Sequence, residues 1–521
     1  MSLPLLLLSV GILSSLYPGS SPANATPLAP QDGFEKRLIK RALVRVDASK
    51  TYQTFDGMGF SEAFQRCKII YGSDGLSPSN TEKVLNLLFS NTTGAGLTIL
   101  RNGIGSSIQN PYDLMKSIAP TSPGSSGAKL SYEWDGDDNG QVRMTKDAIS
   151  RGVRTIYADA WSAPAYMKNN HNDSNGGSLC GVRGVDCPSG DWKLAYATYL
   201  VQYLRYYKQE GIEIDHVGFL NEPDLKTKYA SMLSTGEQAA DFLKVLHPIL
   251  KASGLNTTIA CCDGEGWEGA RQRISGVKEE GAENTLEIAT SHGYASPPST
   301  PLNTAKRVWQ TEWADLSGPA TLAWYNNGST GEGLTWALHI HNAFVNSNVS
   351  AFLYWIGAGN TTTNSALILL RKDEVHVSKR LWAFAQYSRL IKPGARRIDA
   401  AVVGQPVDSS APLRRSISIP SRLHQIRDEN QNQNQAELFT SAFVNPDHST
   451  VIHIINNSGT AICVDIQGLD TKGKVVRRYL TNEDYDFAKM SFEPNVGGSC
   501  GGEVGGMVER RSMMGLWVGS V

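Results

Sequence analysis

The chain has 521 residues, of which 40% are hydrophobic, so it is long enough to bury a large core. Its 49 basic and 50 acidic residues give a formal net charge of −1. That balance argues against nucleic acid as a partner, because nucleic acid requires a basic face. It favours a neutral or weakly charged ligand.

The N-terminus has the pattern of a secretory signal. Leu5–Leu16 is a short, mostly apolar run, and Ala23-Asn-Ala25 beyond it matches a small-x-small cleavage site, although no Lys or Arg precedes the run. The run is shorter than the about 20 apolar residues that cross a membrane, and no later segment is apolar enough to do so. We therefore expect residues 1–25 to be a signal peptide, and the mature protein to be secreted, soluble and without a membrane partner.

Asn-x-Ser/Thr sequons support export, because glycosylation of this kind marks secreted eukaryotic proteins. They occur at Asn24, Asn91, Asn172, Asn256, Asn327, Asn348, Asn360 and Asn456. We expect a glycoprotein, and the sequence does not say which of these sites carry sugar.

The seven cysteines leave at least one without a partner inside the chain. Cys180 and Cys187 bracket a glycine-containing loop and would close a short ring, which makes them the predicted disulfide. Cys261 and Cys262 are adjacent on a predicted strand, where they should point to opposite faces and need different partners. No spacing indicates a zinc site, and we expect no metal.

The middle of the chain alternates short apolar runs with helical patterns, which is typical of βα units around a parallel sheet. The predicted strands are Thr54–Met58, Leu97–Leu100, Thr155–Ala158, His216–Leu220, Thr258–Cys261, Glu287–Thr290, Arg307–Thr311 and Ala351–Trp355. The predicted helices are Asp191–Glu210, Gly236–Leu250 and Trp336–Asn346. These strands favour a (β/α)8 TIM barrel over residues 53–395. A doubly wound open sheet is the alternative, but no glycine-rich phosphate loop follows the first strand.

From about Arg396 the chain changes to short β-rich runs with Asn, Asp and Gly turns between them. The predicted strands here are Ser416–Ile419, Ala442–Val444, Thr450–Ile455, Ala461–Ile466, Val475–Leu480 and Arg511–Val518. They indicate a small antiparallel β-sandwich side domain over residues 396–521. Residues 42–52, with the strand Leu43–Ser49, could pair into the same sheet. The polar tract Asp428–Gln435 is interpreted as a loop. The glycine-rich Pro494–Gly506 is either a long hairpin loop or an error in the gene model.

Two glutamates follow predicted barrel strands directly. Asn221 and Glu222 come at the end of the fourth strand, and Glu312 comes at the end of the seventh. The carboxyl ends of barrel strands share one face, where catalysis occurs, and strands four and seven lie across the barrel from each other. Glycoside hydrolysis needs two such carboxyls, one to protonate the leaving oxygen and one to attack the anomeric carbon or activate water. Either glutamate alone could equally be a rim residue in a salt bridge.

Several motifs in order resemble glycoside hydrolase family 30. They are Asp56-Gly-Met-Gly-Phe-Ser-Glu-Ala63, Leu100-Arg-Asn-Gly-Ile-Gly105, Asp159-Ala-Trp-Ser-Ala-Pro-Ala-Tyr-Met-Lys168 and Asn221-Glu222-Pro223. The resemblance runs from about residue 42 to the C-terminus. It implies a barrel fused to a side sandwich, retention of configuration at the sugar carbon, and no cofactor.

By position, the resemblance makes Glu222 the general acid/base, Glu312 the nucleophile and Asn221 the contact to the sugar 2-hydroxyl. Arg101 would keep the nucleophile ionised, with a structural ion pair as the alternative. Four further residues are candidate sugar contacts or structural residues: Trp161, Trp355, His292 and Tyr294. His339 and His341 are interpreted as structural, because their i,i+2 spacing on a predicted helix points them apart.

The variant Phe60-Ser-Glu-Ala-Phe-Gln-Arg66 and the loop Asn172–Cys180 most resemble the fungal xylanase branch of the family, subfamily 7. The resemblance implies that Arg66 can bind the carboxylate of a methylglucuronic acid side group, although it could be an ordinary surface arginine. We therefore expect a monomeric enzyme that cleaves β-1,4-xylan, and glucuronoxylan in particular, as its polysaccharide partner.

Three alternatives remain open at this point. An endo-β-1,6-galactanase would share most of these motifs. A non-catalytic carbohydrate-binding protein could use the same scaffold, but it predicts that a carboxylate is missing. The C-terminal sandwich could be an independent binding module, which the strand before the barrel argues against.

Overall fold

The computed structural model describes residues 40–64, 66–72, 75–107, 110–403, 436–491, 500 and 504–520. The predicted signal peptide, the predicted strand at Ser416–Ile419 and the tract Asp428–Gln435 lie outside these residues, as does most of Pro494–Gly506.

The described strands alternate with helices along the first three quarters of the chain and then follow one another directly. Numbered in chain order, they are β1 (Lys40–Thr54), β2 (Gly57–Ser61), β3 (Ile99–Ile104), β4 (Thr155–Ala160), β5 (His216–Val217), β6 (Thr258–Gly264), β7 (Ile288–His292), β8 (Arg307–Glu312), β9 (Asp315–Pro319), β10 (Ala351–Gly359), β11 (Thr363–Asn364), β12 (Ala366–Arg371), β13 (Glu374–Val377), β14 (Arg396–Val402), β15 (Leu438–Val444), β16 (Thr450–Asn456), β17 (Ile462–Gln467), β18 (Val475–Thr481), β19 (Ala488–Met490), β20 (Gly506–Val508) and β21 (Ser512–Gly519).

The α-helices are α1 (Arg66–Tyr71), α2 (Pro78–Phe89), α3 (Gln141–Ser150), α4 (Lys193–Gln209), α5 (Gly236–Ala252), α6 (Trp267–Glu279), α7 (Gly333–Asn346) and α8 (Lys379–Leu390). Short 3₁₀ turns occupy Asp138–Gly140, Ala165–Met167 and Glu283–Thr285. Among the described residues, none of the helices combines the length and the apolar character needed to cross a membrane.

Local sequence explains where these helices begin and which face they bury. Thr235 and Gln238 form a capping box at the start of α5, each side chain accepting from the other's backbone N–H. In α4, Ala195, Tyr199 and Tyr203 recur every four residues and are buried, as their spacing predicts. Both helices therefore cover the outside of the sheet with an apolar face.

Eight parallel strands, β2 to β8 and β10, close into a barrel. Strand β10 pairs with β2 on one side and with β8 on the other, which completes the ring. All eight predicted barrel strands are present, so the (β/α)8 prediction is confirmed and the doubly wound open sheet is wrong. The barrel interior is filled rather than open, with Ile99, Tyr157, Ile288, Trp309 and Leu353 packed against one another.

Nine of the described strands form the sheet of the side domain, in the order β19-β18-β21-β16-β15-β14-β1-β17-β20. Its core includes Val44, Ile452, Val464 and Leu516, all buried. The predicted β-sandwich is confirmed, but one pair departs from the predicted antiparallel pattern: β1 runs parallel to β17. The reason is that β1 arrives from before the barrel and inserts between β14 and β17, antiparallel to the first and parallel to the second.

Helix α8 of the barrel packs directly on the side domain. The Gln386 side chain donates to Thr481 Oγ1 at 2.8 Å, and His453 Nε2 lies 2.8 Å from the Gln386 carbonyl oxygen. Nearby, the rings of Phe344 and Phe443 meet edge to face with centroids 6.0 Å apart. The two halves thus share buried polar and aromatic contacts.

The structure joins Cys180 to Cys187, the pair predicted from the sequence, and also joins Cys463 to Cys500. Cys67 is a free, buried thiol. The prediction that Cys261 and Cys262 need different partners is wrong, because they are bonded to each other. That prediction assumed regular alternation along the strand, whereas the β6–β7 register shifts between Cys261 and Gly264.

Candidate active site

The carboxyl ends of the barrel strands bring the candidate residues to one rim. Glu312 ends β8 and His292 ends β7, while Arg101 lies within β3. Glu222 lies in the loop that follows β5, and its backbone has a left-handed conformation with φ of 47°. Parallel strands all direct these ends to the same side, which is why residues far apart in the chain meet.

Glu222 and Glu312 approach each other closely. One oxygen of each carboxylate and a ring nitrogen of His292 all lie within 4.8 Å of one another. Both carboxylates are nearly buried, with Glu222 6% and Glu312 5% exposed. The two predicted catalytic carboxyls therefore face a common small volume.

Arg101 is a wholly buried cation that organises this volume. Its Nη1 donates to Glu312 Oε2 at 2.5 Å, and its Nη2 donates to Asn221 Oδ1 at 2.6 Å and to Asp159 Oδ2 at 2.9 Å. The guanidinium also lies over the Trp161 ring, 4.5 Å from the ring centroid. Because Asn221 accepts from Arg101 through its oxygen, its amide Nδ2 is left to donate elsewhere.

His292 lies between the two glutamates. Its Nδ1 is 3.2 Å from Glu222 Oε1, and its Nε2 is 3.3 Å from Asp263 Oδ1 and 3.9 Å from Glu312 Oε2. Burial alone would lower the pKa of His292, but Glu312, Asp263 and Glu222 outweigh it and raise that pKa to about 10. The ring is therefore a cation at neutral pH.

Asp263 is a central residue that the sequence reasoning missed. Its carboxylate accepts from Tyr157 and Thr311, and from Thr290 at 3.1 Å. Its carbonyl oxygen accepts the backbone N–H of Glu222 at 2.8 Å. The available signal was the one that selected Glu222, an acidic residue directly after an apolar run, because Asp263 follows the predicted strand Thr258–Cys261 by two residues.

The buried carboxyls of the site have pKa values displaced by burial and by the neighbouring charges. Burial would raise the pKa of Asp263, but His292 and Arg101 lower it below its ordinary value, so Asp263 is an anion. Burial raises the pKa of Asp159 well above its ordinary value, and the charge of Asp263 adds to that rise, while the charge of Arg101 opposes it. Burial also raises the pKa of Glu312, while His292 and Arg101 oppose that rise. Two cations thus support the ionised form of Glu312.

Two tyrosines hold the glutamate side chains in place. Tyr294 donates its hydroxyl to Glu312 Oε1 at 2.9 Å, and Tyr229 donates to Glu222 Oε2 at 3.0 Å. Tyr294 was predicted from the sequence, whereas Tyr229, in the loop after Glu222, was not. Its contact depends on how that loop folds back, which no local pattern indicates.

A cluster of aromatic side chains lies next to Glu222. Phe64 contacts Trp161, Tyr229 and Trp355, with ring centroids 5.3 to 5.7 Å apart. Trp161 is 1% exposed and Trp355 is 8% exposed, so each offers at most a narrow edge to a ligand. The structure places both predicted tryptophans at the site and packs them chiefly against protein.

Arg66 lies on the same side of the barrel but is not bonded into this cluster in the described part of the chain. It opens α1 and is half-buried near Glu62. Burial raises the pKa of Glu62 to about 8, and the positive charge of Arg66 opposes that rise. Its predicted contact with a carboxylate side group stays a prediction.

Glu222, His292 and Glu312 are close enough together to be considered as metal ligands. A histidine ligand must be neutral, however, and the carboxylates around His292 favour its protonated form. Arg101 already pairs with Glu312. This donor set fits two carboxyls acting on a neutral substrate better than it fits a divalent cation.

Comparison with known sequences identifies two matching families. Residues 41–292 match the family described as O-Glycosyl hydrolase family 30, and residues 426–483 match the Glycosyl hydrolase family 30 beta sandwich domain. The first match contains Asn221, Glu222 and His292 and ends before Glu312.

Three relatives show how far the similarity extends. The catalytic domain of the family 30 xylanase C from Talaromyces cellulolyticus is 42% identical, with 92% of this chain and 100% of that chain covered and a TM-score of 0.79. Glucuronoxylanase XynC from Bacillus subtilis strain 168 is 22% identical, with 50% of this chain and 57% of that protein covered. Endo-1,6-beta-D-glucanase neg1 from Aspergillus fumigatus is 23% identical, with 61% and 67% covered.

Proposed function

We propose that this chain, which belongs to glycoside hydrolase family 30, is a secreted retaining glycosidase that cleaves β-1,4-xylan, and glucuronoxylan in particular. The observation that carries the proposal is the approach of the Glu222 and Glu312 carboxylates to within 4.8 Å. Carboxyls about 5–5.5 Å apart are typical of retaining enzymes, because an inverting pair must leave room for a water molecule.

In the first step, Glu312 attacks the anomeric carbon while Glu222 gives its proton to the departing glycosidic oxygen. The bond between the sugars breaks, and the glycone becomes an ester of Glu312. In the second step, Glu222 takes a proton from a water molecule, whose oxygen attacks the same carbon and releases Glu312. Two inversions leave the configuration unchanged.

The neighbours of the pair suit these roles. Arg101 and His292 favour an ionised Glu312, as a nucleophile requires. Asn221 has its oxygen fixed by Arg101, so its Nδ2 is available to the sugar 2-hydroxyl. Hydrogen bonds to that hydroxyl strengthen in the transition state and contribute several kcal/mol in glycosidases of this kind.

The choice of xylan rests on similarity and on one arginine. One relative is named a xylanase and another a glucuronoxylanase. Arg66 would hold the carboxylate of a methylglucuronic acid side group, since a guanidinium can donate two parallel hydrogen bonds to it. Secretion is supported by the apolar leader and by the sequons.

The test is parallel digestion of glucuronoxylan and β-1,6-galactan, with the products identified by mass spectrometry and the anomeric configuration followed by proton NMR. We expect xylo-oligosaccharides with retained configuration. Replacing Glu312 or Glu222 by Gln should reduce the rate at least about 1,000-fold, because each removes a group that reacts in the transition state. A matched control is Glu133→Gln, an exposed glutamate far along the chain from both.

The outcomes separate the candidates. Release of galacto-oligosaccharides alone would identify an endo-β-1,6-galactanase on the same scaffold. Binding to insoluble xylan without any new reducing ends would identify a non-catalytic binding protein. Undiminished activity of Glu312→Gln would refute its assignment as nucleophile.

A further inference from the structure

A cavity of about 450 Å³ opens on the carboxyl-end rim of the barrel, and neither Glu222 nor Glu312 lines it. It lies between the loops that follow β3, β4 and β5. It is lined by Ser106, Asn110, Pro111, Tyr112, Pro120, Pro164, Ala165, Tyr166, Asp173, Ser174, Asn175 and Lys228. A volume of this size falls within the range of about 300–1,000 Å³ that small-ligand sites occupy.

The cavity is adjacent to the catalytic pair through one loop. Lys228 lines it, and the next residue, Tyr229, donates a hydrogen bond to Glu222 Oε2 at 3.0 Å. On the cavity side, Asn110 donates its amide to the Lys228 carbonyl oxygen at 3.2 Å. The cavity and the Glu222 carboxylate are therefore connected by one short loop segment, Lys228–Tyr229.

Buried hydrogen bonds fix the walls in place. The Lys168 ammonium, which is wholly buried, donates to the carbonyl oxygens of Ser231 at 2.6 Å and Asp173 at 3.3 Å. Asp113, also buried, accepts the backbone N–H of Ala230 at 2.7 Å. Hydrogen bonds thus connect the loops after β4 and β5, so a ligand does not have to order these loops when it binds.

The lining combines an aromatic ring with a cation. Tyr112 lines the cavity and is 59% exposed. The Lys228 ammonium lies 5.8 Å from the centre of that ring. An exposed ring suits the C–H face of a sugar, and an ammonium beside it suits a negatively charged substituent.

Lys228 is the cation among the residues that line the cavity. Asp173, which also lines the cavity, receives a hydrogen bond from Ser107. Burial lowers the pKa of the neighbouring Lys168 to about 7, and the negative charge of Asp173 opposes that fall. Within the described residues, no carboxylate lies within 4 Å of the Lys228 ammonium. Among the described residues, the Lys228 ammonium is therefore the lining cation that is available to an anion from outside.

We infer that this cavity binds a uronic acid residue of the polysaccharide, with Tyr112 against the sugar ring and Lys228 against its carboxylate. The identity of the polysaccharide rests on the proposed function, whereas the preference of the cavity for an acidic sugar rests on Tyr112 and Lys228. Arg66 lies outside this lining, at the start of α1, so the two cations serve different positions along the substrate.

The test compares two substrates and two lysines. Glucuronoxylan is assayed beside the same polymer after chemical reduction of its carboxyl groups to alcohols, and the ratio of the two kcat/KM values is the readout. Lys228→Ala should lower that ratio by roughly tenfold, the effect of one charged hydrogen bond. Lys226→Ala is the matched control, since Lys226 is exposed on the same loop but does not line the cavity, and it should leave the ratio unchanged.

Binding gives a second, independent readout. Isothermal titration of the Glu312→Gln protein with xylotetraose, and with xylotetraose carrying a methylglucuronic acid, should show tighter binding of the acidic ligand that Lys228→Ala abolishes and Lys228→Arg retains. Tyr112→Ala should weaken binding of both ligands.

Each outcome decides one of the two proposals. If xylan is hydrolysed but the ratio and the acidic preference do not depend on Lys228, the cavity inference is overturned and the proposed function stands. If no xylan is cleaved while the acidic ligand still binds through Lys228, the proposed function falls and the cavity inference stands. Equal losses on the native and reduced polymers with Lys228→Ala would overturn the uronic acid assignment.

Discussion

The backbone N–H of Glu222 donates a hydrogen bond to the carbonyl oxygen of Asp263, 2.8 Å away. Both residues adopt left-handed backbone conformations, with φ of 47° and 43°, which non-glycine residues seldom adopt. The side chain of Asp263 meanwhile faces His292, which contacts both glutamates. Asp263 thus holds the main chain of Glu222 and lies against the histidine that contacts Glu312.

Replacing Asp263 by Asn should disable the enzyme while leaving it folded. Asn keeps the size of the side chain and the backbone hydrogen bond, but it removes the negative charge that His292 and Arg101 face. We expect kcat to fall about 100-fold, the scale of a small misplacement of reacting groups, and the pKa of His292 to fall from about 10. Steady-state kinetics and NMR titration of the His292 ring measure the two effects.

The control for this variant is Asp215→Asn. Asp215 accepts the backbone N–H of Ile156 at 2.8 Å near the amino end of the barrel strands, on the side away from the glutamates. The Asp215→Asn variant should have a kcat within about threefold of that of the unaltered enzyme. A similar kcat for both variants would show that Asp263 has only a structural role.

Removing the charge of His292 should shift the acid limb of the pH profile to higher pH. His292 lowers the pKa of Glu312, so His292→Gln raises that pKa further, and a larger share of Glu312 is protonated in acid. Protonated Glu312 cannot act as a nucleophile. We expect kcat/KM to fall about tenfold more at pH 5 than at pH 8, which a pH series measures.

Tyr294→Phe is the comparison for this effect. It removes a hydrogen bond to Glu312 without removing a charge, so its acid limb should move less than that of His292→Gln. If the two variants shift the limb equally, or if His292→Gln shifts it to lower pH, His292 does not act through its charge.

Stability should fall with rising pH through Glu62. Its pKa is raised by burial from an ordinary value of 4.5 to about 8, so between these values the folded chain holds a proton that the unfolded chain has lost. The free energy of unfolding therefore decreases as pH rises through this window, by at most about 1.4 kcal/mol per pH unit from this group.

Glu62→Gln should flatten that dependence, because the amide resembles the protonated acid and its oxygen can still accept from the Ala358 N–H, 2.8 Å from Glu62 Oε1. Urea unfolding at several pH values between 5 and 8 measures the slope. The exposed Glu133→Gln should not change it. An unaltered slope in Glu62→Gln would mean that Glu62 is ionised in the folded protein.

The C-terminal sandwich should not fold when residues 396–521 are expressed alone. Strand β1 lies between β14 and β17 and contributes Val44 to the core, so its removal leaves two unpaired strand edges. Far-UV circular dichroism and size-exclusion chromatography should show an aggregated or unfolded fragment. Adding residues 40–54 through a flexible linker should recover a monomer, and a folded fragment without them would revive the independent module.

The barrel could be predicted from sequence because its strands are apolar runs at regular intervals, and the carboxyl end of each strand has a fixed direction. That direction was enough to place Glu222, Glu312 and His292 at one rim. Asp263 obeys the same rule but was not predicted, because the two adjacent cysteines are the more conspicuous feature of its strand. Their bond to each other was also missed, since a strand pattern assumes regular alternation and the register shifts there.

Contacts made by loops were beyond the sequence for a different reason. Tyr229 reaches Glu222, and Lys168 ties two loops from below, only because the chain folds back on itself after β4 and β5. No periodicity indicates such a return. The cavity beside Lys228 depends on three of these loops at once.

The position of β1 has a consequence for the order of biosynthesis. Its hydrogen-bonding neighbours, β14 and β17, are synthesised more than 340 residues after it, with the whole barrel in between. At about 5–20 residues per second, β1 leaves the ribosome roughly 20–80 seconds before β17 does. Through that interval an alternating, β-prone strand has no partner in the fold. The first described strand to be synthesised is therefore among the last to acquire its hydrogen-bonding partners, β14 and β17.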